Sequence, residues 1–396
     1  MLFRSRKSVI VSAKRTPVGA FQGNLSSVIA PNLGATAIKA ILDETGIDHS
    51  QIDEVIMGNV LSAGLGQAPA RQATLNAGLP NSVETLTINK MCGSGLKAVM
   101  LADQVIRGGN ADVVIAGGME SMSNSPYLLQ NARGGQRLGH GKMIDSMIHD
   151  GLWDAYKDTH MGNCAELLSS DRNYTRESQD EFAISSYKRA QTAQAEGVFD
   201  SEIVPVRIPQ RKGDPIVVSE DEEPGKARFD KIPILRPAFE KDGTITAANA
   251  SKLNDGAAAI LVMNEEKANE LGLKPLARIV AQASAAHEPE WFTTAPGIAI
   301  GKVLEQANLS ADDIDLWEIN EAFSAVTMAA IDDFKIDPAK VNIYGGAVAI
   351  GHPIGASGAR IFTTLLNGMN RTDAKYGLAT LCIGGGEASA LIVEKI

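Results

Sequence analysis

One pattern is written twice along this chain, and it limits the fold more than any other feature. Ile52–Met57 reads as a short apolar strand behind acidic residues, and Ile314–Ile319 repeats it. The glycine corner Asn89-Lys-Met-Cys-Gly-Ser-Gly-Leu-Lys-Ala98 follows the first and opens a helix. Gly345–Arg360, equally glycine-rich, follows the second and opens another. Each unit then reaches a buried strand that ends in glycine: Ala111–Ala116 before Gly117-Gly118, and Leu378–Cys382 before Gly384-Gly385-Gly386. Order and spacing are kept, so the chain reads as an internal duplication into two similar βαβ-type lobes, with chance alternation in an α/β protein as the competing account. Strands alternating with helices predict a mostly parallel sheet covered on both faces.

The rest fills in around the repeat. Ser8–Ser12 is a strand ending at Lys14-Arg15-Thr16-Pro17, and Leu33–Glu44 and Ala70–Ala77 have helical spacing. Ser121–Ser251 has another character. It holds a loop-like, Gly- and Arg-rich stretch at Asn131–Gly141 and one surface helix, Thr175–Glu196, opened by Thr-Arg-Glu-Ser-Gln. It reads as an insertion between the repeats, and long loops of this kind carry function.

Charge and cysteine content narrow the function. A formal net charge of −10 argues against nucleic-acid binding, and any polyanionic ligand must find a local basic patch. Cys92, Cys164 and Cys382 form no disulfide framework and no CxxC metal spacing, so reduced thiols and the cytosol are expected. No run is long and apolar enough for a membrane span. Met1–Lys7 is basic but leads straight into a strand, which argues against a secretory signal.

Cys92 sits at the first glycine corner, where helix-terminal N–H groups are expected to lower its pKa and flanking glycines let a substrate approach; a buried packing cysteine is the alternative. His352, among only six histidines, is held by Gly351, Pro353 and further glycines. Such an imidazole can take a thiol proton or donate to an oxyanion, or merely cap a turn. Cys382 ends its strand at a run of glycines whose N–H groups can build an oxyanion site. Asn320 ends Asp315–Ile319 and can hold a water. Cys164 reads as packing. Four strand and helix ends meeting at one crevice would bring Cys92, Asn320, His352 and Cys382 together.

Four stretches then resemble one family. Asn89-Lys-Met-Cys-Gly-Ser-Gly, Asn320-Glu-Ala-Phe, Gly351-His-Pro-Ile-Gly-Ala-Ser-Gly and Leu381-Cys-Ile-Gly-Gly-Gly together are similar to the thiolases, specifically those of the biosynthetic type. The resemblance extends through Gly117-Gly-Met-Glu-Ser-Met-Ser, His160-Met-Gly and Asn249-Ala-Ser-Lys-Leu-Asn-Asp-Gly. It implies a duplicated five-layered αβαβα fold: an N-terminal lobe of 1–121 plus 253–273, a loop domain of 122–252 and a C-terminal lobe of 274–396. It implies interconversion of two acetyl-CoA with acetoacetyl-CoA and CoA. Cys92 would carry the acetyl group, helped by His352, and Cys382 would move the α-proton. His352 with a water on Asn320, and the N–H groups of Cys92 and Gly384, would form two oxyanion sites.

By the same resemblance, Ser251 would bond the pantetheine and Leu152, Phe239, Ala247, Ala322 and Phe323 would line its channel. His160 and Met161 would close over the acyl end, and Phe292 would limit acyl length or branching. Ala248 stands where relatives have glycine. Pro224 stands where an arginine is expected, which turns attention to Lys226 or Arg228 for the nucleotide. Glu387 also departs from the family pattern. Neither a metal nor a resident cofactor is expected, coenzyme A being substrate and product. The Gly- and Arg-rich Asn131–Gly141 loop resembles the family's tetramerisation loop, so a homotetramer is expected. A 3-ketoacyl-CoA thiolase of β-oxidation, a decarboxylating condensing enzyme and a catalytically silent lipid or CoA binder are the competing readings.

Overall fold

The structure, a computed structural model, describes residues 6–396; residues 1–5 of the basic start lie outside the described residues. Nine strands carry its main sheet: β1 (Ser8–Arg15), β2 (Glu54–Gly58), β3 (Glu84–Ile88), β4 (Val113–Ser121), β5 (Asn254–Asn264), β6 (Ala277–Ala286), β7 (Leu316–Ile319), β8 (Tyr376–Ile383) and β9 (Glu387–Lys395). A tenth, Gly19–Ala20, pairs with the start of β5. Their order is β7-β8-β9-β6-β1-β5-β4-β2-β3.

The duplication is visible in the pairing. From the central β1–β6 contact, one half runs antiparallel β1–β5, antiparallel β5–β4, parallel β4–β2 and parallel β2–β3. The other runs antiparallel β6–β9, antiparallel β9–β8 and parallel β8–β7, and a parallel bridge, Trp317 to Val341, stands where β3 stands in the first. Even the irregularity repeats: β1 shifts register between Ile10 and Ser12, β6 between Ile279 and Ala281. The mostly parallel sheet expected from the sequence is corrected to a mixed one. β5 is buried along its whole length and shows no alternation to mark it as a strand.

Helices α1 (Ala30–Thr45), α2 (Pro69–Asn76), α3 (Ser94–Arg107), α4 (Met161–Arg172), α5 (Arg176–Ala195), α6 (Ala295–Ala307), α7 (Ser324–Phe334) and α8 (Ile354–Thr372) complete the layers. The middle layer is α3 and α8. Leu96, Val99, Phe362 and Leu365 share one core with Ile56 and Val114 of one half and Leu381 and Leu391 of the other. Separate outer cores seat α1 on the first half and α6 on the second. The result is the expected αβαβα stack.

Glycines permit the middle layer. A Cβ on Gly358 would lie 2.4 Å from the Leu96 nitrogen, and one on Gly95 would lie 2.7 Å from the Ala359 nitrogen. The segment between β4 and β5 contains α4 and α5 and docks on β1 through a buried cation. Arg15 Nε meets Glu202 at 2.6 Å, and its Nη1 meets Asp221 at 2.7 Å. Thr175 Oγ1 accepts the Ser178 N–H and starts α5, one residue from the boundary read in the sequence.

Candidate active site

The repeat decides where the chemistry falls. Cys92 lies two residues before α3 and His352 two residues before α8, so equivalent positions of the two units deliver the thiol and the imidazole to one end of the paired helices. The turn at Cys92 is tight: Met91 has φ +45, and Ser94 Oγ accepts the Lys90 N–H at 2.8 Å while donating to the Met91 carbonyl at 2.7 Å. Gly93 lets the corner press on β8, since a Cβ there would sit 2.3 Å from Ile383 Cδ1. That contact brings the Gly384 N–H to the Cys92 sulfur, which the N–H of Cys92 also faces.

The helix terminus was expected to lower the Cys92 pKa, and the surroundings of the thiol act in the opposite direction. Burial pushes the thiol up to about 11; the two amides pull down but do not compensate, and the Glu120 carboxylate adds to the rise. A base is therefore required to form the thiolate. His352 Nδ1 lies 2.6 Å from Ser357 Oγ, and that hydroxyl donates to the Pro353 carbonyl at 2.9 Å. The tautomer assigned from this chain has Nδ1–H donating and Nε2 accepting, and Nε2 has no partner among the described residues. Burial, aided by the Arg360 charge, lowers the imidazole pKa to about 3, so the ring is neutral.

Cys382 closes β8 and is fully buried; desolvation and then the neighbouring Cys92 charge push its thiol well above the usual range. The two sulfurs are thus electrostatic neighbours. Asn320 follows β7 and its N–H is held by the Thr380 carbonyl at 3.0 Å. Its side-chain amide is buried with neither polar atom paired among the described residues, which suits an amide that holds a water or a carbonyl.

A cavity of about 380 Å³ opens onto Cys92, His352 and Gly384. Leu152, His160, Met161, Phe239, Ala247, Ser251, Phe292, Ala322 and Phe323, all singled out in the sequence, line it. Its wall is aromatic: His160 stacks on Phe239 at 4.7 Å, and Phe239 meets Phe323 edge-on at 6.1 Å. His160 Nδ1 accepts the Gly162 N–H, and burial lowers the ring's pKa. Cys382 and Asn320 stand behind the wall rather than in it. Ala248, Lys226 and Arg228 are outside this cavity, in an adjoining groove of about 300 Å³. A cleft of about 420 Å³ between α8 and the Gly272–Leu276 connector contains none of the four central residues.

Two functional neighbours, Lys252 and Glu120, were not singled out in the sequence, and a third, Glu387, stood out there only as a departure from the family pattern. Lys252 borders both the cavity and the groove, in a stretch whose letters gave no sign of it. Glu120 accepts the N–H groups of Val60, Leu61 and Gly355, fixing the start of α8, and burial raises its pKa to about 7. Glu387 is explained by a salt bridge to Lys90, which ties the strand after the glycine run to the Cys92 turn. Among the described residues no group of three or more His, Cys, Asp or Glu could hold a metal ion, and no helix is long and apolar enough to cross a membrane.

A nucleophilic thiol, a neutral imidazole and a second buried thiol, joined to a duplicated αβαβα core, define a class. Residues 8–266 match the family description "Thiolase, N-terminal domain" and residues 273–395 match "Thiolase, C-terminal domain". The chain belongs to the thiolase family. Within it, the chain is 55% identical to the acetyl-CoA acetyltransferase of Allochromatium vinosum, over 98% of this chain and 99% of that one. Among solved structures it superposes on the Bacillus anthracis acetyl-CoA acetyltransferase with a TM-score of 0.96 at 42% identity, covering 99% of each chain. It superposes on the Acat5 thiolase of Ascaris suum in complex with coenzyme A with a TM-score of 0.94 at 44% identity, covering 98% of this chain and 100% of that one.

Proposed function

We propose that this protein is an acetyl-CoA acetyltransferase interconverting two acetyl-CoA with acetoacetyl-CoA and free CoA. The observation that carries the reading is the convergence of Cys92, the open Nε2 of His352 and the Gly384 N–H on one apolar cavity, with Cys382 coupled to Cys92 from behind. His352 Nε2 takes the Cys92 proton as the sulfur attacks the acetyl carbonyl; the N–H groups of Cys92 and Gly384 hold the oxyanion. Departing CoA thiolate takes the Cys382 proton. The resulting Cys382 thiolate, made strongly basic by burial, removes the α-proton of a second acetyl-CoA. His352, now protonated, and a water on Asn320 stabilise the enolate oxygen. Carbon attack on the acetyl-Cys92 thioester forms the new C–C bond, breaks the C–S bond, and Cys92 regains its proton from His352. The Cys92 proton returns from His352, while the Cys382 proton leaves on free CoA and is replaced by the α-proton, so both thiols are restored; a thioester keeps the carbonyl electrophilic enough for carbon attack.

The test separates the two half-reactions. Cys382→Ala still acquires an acetyl group on Cys92 from acetyl-CoA, seen by mass spectrometry, but forms no acetoacetyl-CoA. Cys92→Ala does neither. An unacetylated Cys92 in an otherwise folded protein refutes the assignment.

Coenzyme A acts in this reading as substrate and product, with no resident cofactor, and the compartment is the cytoplasm. The assembly is a homotetramer: the Asn131–Gly141 loop, with Tyr127, Leu129, Leu138 and Met143 exposed in and around it, is its contact. Light scattering returning a single-chain mass contradicts that. Phe292, nearly fully buried at the cavity, sets a short acyl limit, so a C10 3-ketoacyl-CoA is cleaved far more slowly than acetoacetyl-CoA.

A further inference from the structure

The reaction cavity continues into the adjoining groove, and the two share Ala247 and Lys252. The groove carries Lys226, Arg228 and Lys231, but each has a carboxylate beside it. Lys226 Nζ is 2.7 Å from Glu222, Arg228 Nε 3.4 Å from Asp230, and Lys231 Nζ 3.9 Å from Asp230. These side chains are largely exposed, so solvent and salt screen what charge remains to them.

Lys252 differs on each count. It lies at the neck between chamber and groove, and it has no carboxylate at ion-pair distance among the described residues. Its ammonium instead donates to the carbonyls of Ala250 at 2.8 Å and Val348 at 3.3 Å and faces the Tyr187 ring at 5.4 Å. Burial lowers its pKa to about 8, against the opposing pull of the Glu223 and Glu321 charges, so the ammonium remains charged at neutral pH. A partly buried cation whose hydrogen-bond partners are neutral carbonyls, with Glu223 and Glu321 acting on it only from beyond ion-pair distance, is a place where an incoming anion gains, in a chain whose net charge otherwise repels it. The chamber beyond is apolar down to Cys92, so the anion belongs to the far end of the substrate and not to its acyl group.

We propose that Lys252 reads the phosphate-bearing half of the substrate: its ammonium at the neck takes a phosphate oxygen of coenzyme A as the anionic partner at hydrogen-bond distance that no side chain of the described residues supplies. The inference rests on the reading that the substrates are coenzyme A thioesters, and it assigns their recognition to a residue outside the catalytic set.

The experiment compares acetyl-CoA with S-acetylpantetheine, which keeps the thioester and the pantetheine arm and lacks every phosphate. In Lys252→Met the ratio of kcat/KM for acetyl-CoA to that for S-acetylpantetheine falls by about tenfold or more, chiefly through KM, as expected for losing a charge-assisted hydrogen bond. The dependence of the acetyl-CoA KM on salt concentration weakens at the same time. An unchanged ratio, whether both substrates suffer equally or neither does, overturns the proposal, as does a loss confined to kcat. Lys252→Gln, which retains a donor for the Ala250 and Val348 carbonyls, provides the same comparison if the methionine variant does not fold. Wild-type protein that turns over neither thioester refutes the underlying reading instead, so the two failures are told apart.

Discussion

His352 stays neutral because it is buried and because the Arg360 charge opposes its protonation; Ser357, the ring's one hydrogen-bond partner among the described residues, commits the Nδ1 proton. Two consequences belong to this residue. First, the thiol of Cys92 depends on it. In His352→Ala, iodoacetamide alkylation of Cys92 should rise about tenfold per pH unit until the thiol titrates near 11, since only free thiolate reacts. With the imidazole present the rise is shallower, and equal slopes for the two proteins rule out the base. Second, the histidine binds no proton in the folded chain between its ordinary pKa of 6.5 and about 3, whereas the unfolded chain does. Its contribution to stability is therefore complete above 6.5 and is lost as the pH falls through that window. The urea midpoint should fall less steeply below pH 6.5 for His352→Gln than for the unmodified protein. The candidacy of Cys92, His352 and Cys382 was legible because glycine and proline crowd them. Asn320 was marked only by its place at a strand end, which any turn asparagine shares. The direction of the Cys92 pKa was not legible at all, because it depends on burial by elements far away in the chain, and Lys252 resembled any lysine until two cavities were seen to meet at it.

At the scale of elements, the crossing of α3 and α8 sets the distance between thiol and imidazole. Gly358→Ala must push its Cβ into the Leu96 backbone, a rigid neighbour, so a loss of about 1–3 kcal/mol is expected in urea denaturation. Activity should fall further than stability alone explains, because Cys92 and His352 ride on the displaced helices. An unaltered midpoint would show that the helices can part without penalty. The elements that the sequence disclosed were those with clear periodicity or caps: α1, α5 and the strands at the glycine corners. β5 and β9 escaped, being apolar without alternation, and with them the antiparallel half of the pairing.

At the scale of the whole molecule, Arg15 fastens the segment between the repeats to the central strand. Its guanidinium is wholly buried between Glu202 and Asp221, whose charges raise its pKa against desolvation. Arg15→Met leaves two carboxylates buried and uncompensated, a cost of about 3–5 kcal/mol. A lowered Tm with earlier proteolytic cleavage between β4 and β5 would display it, and an unaltered Tm would argue that the segment is held elsewhere. The duplication itself was readable from order and spacing. Its geometry was not, because hydrogen bonding between β1 and β6 joins chain segments that no local pattern connects.

That the thiol and the imidazole occupy matching places in the two units has a consequence for ancestry. A pair of identical half-length chains, assembled about the same axis, would present either two sulfurs or two imidazoles at the meeting point and never one of each. A thiol at one of these two places with an imidazole at the other therefore requires both copies in a single polypeptide, free to differ.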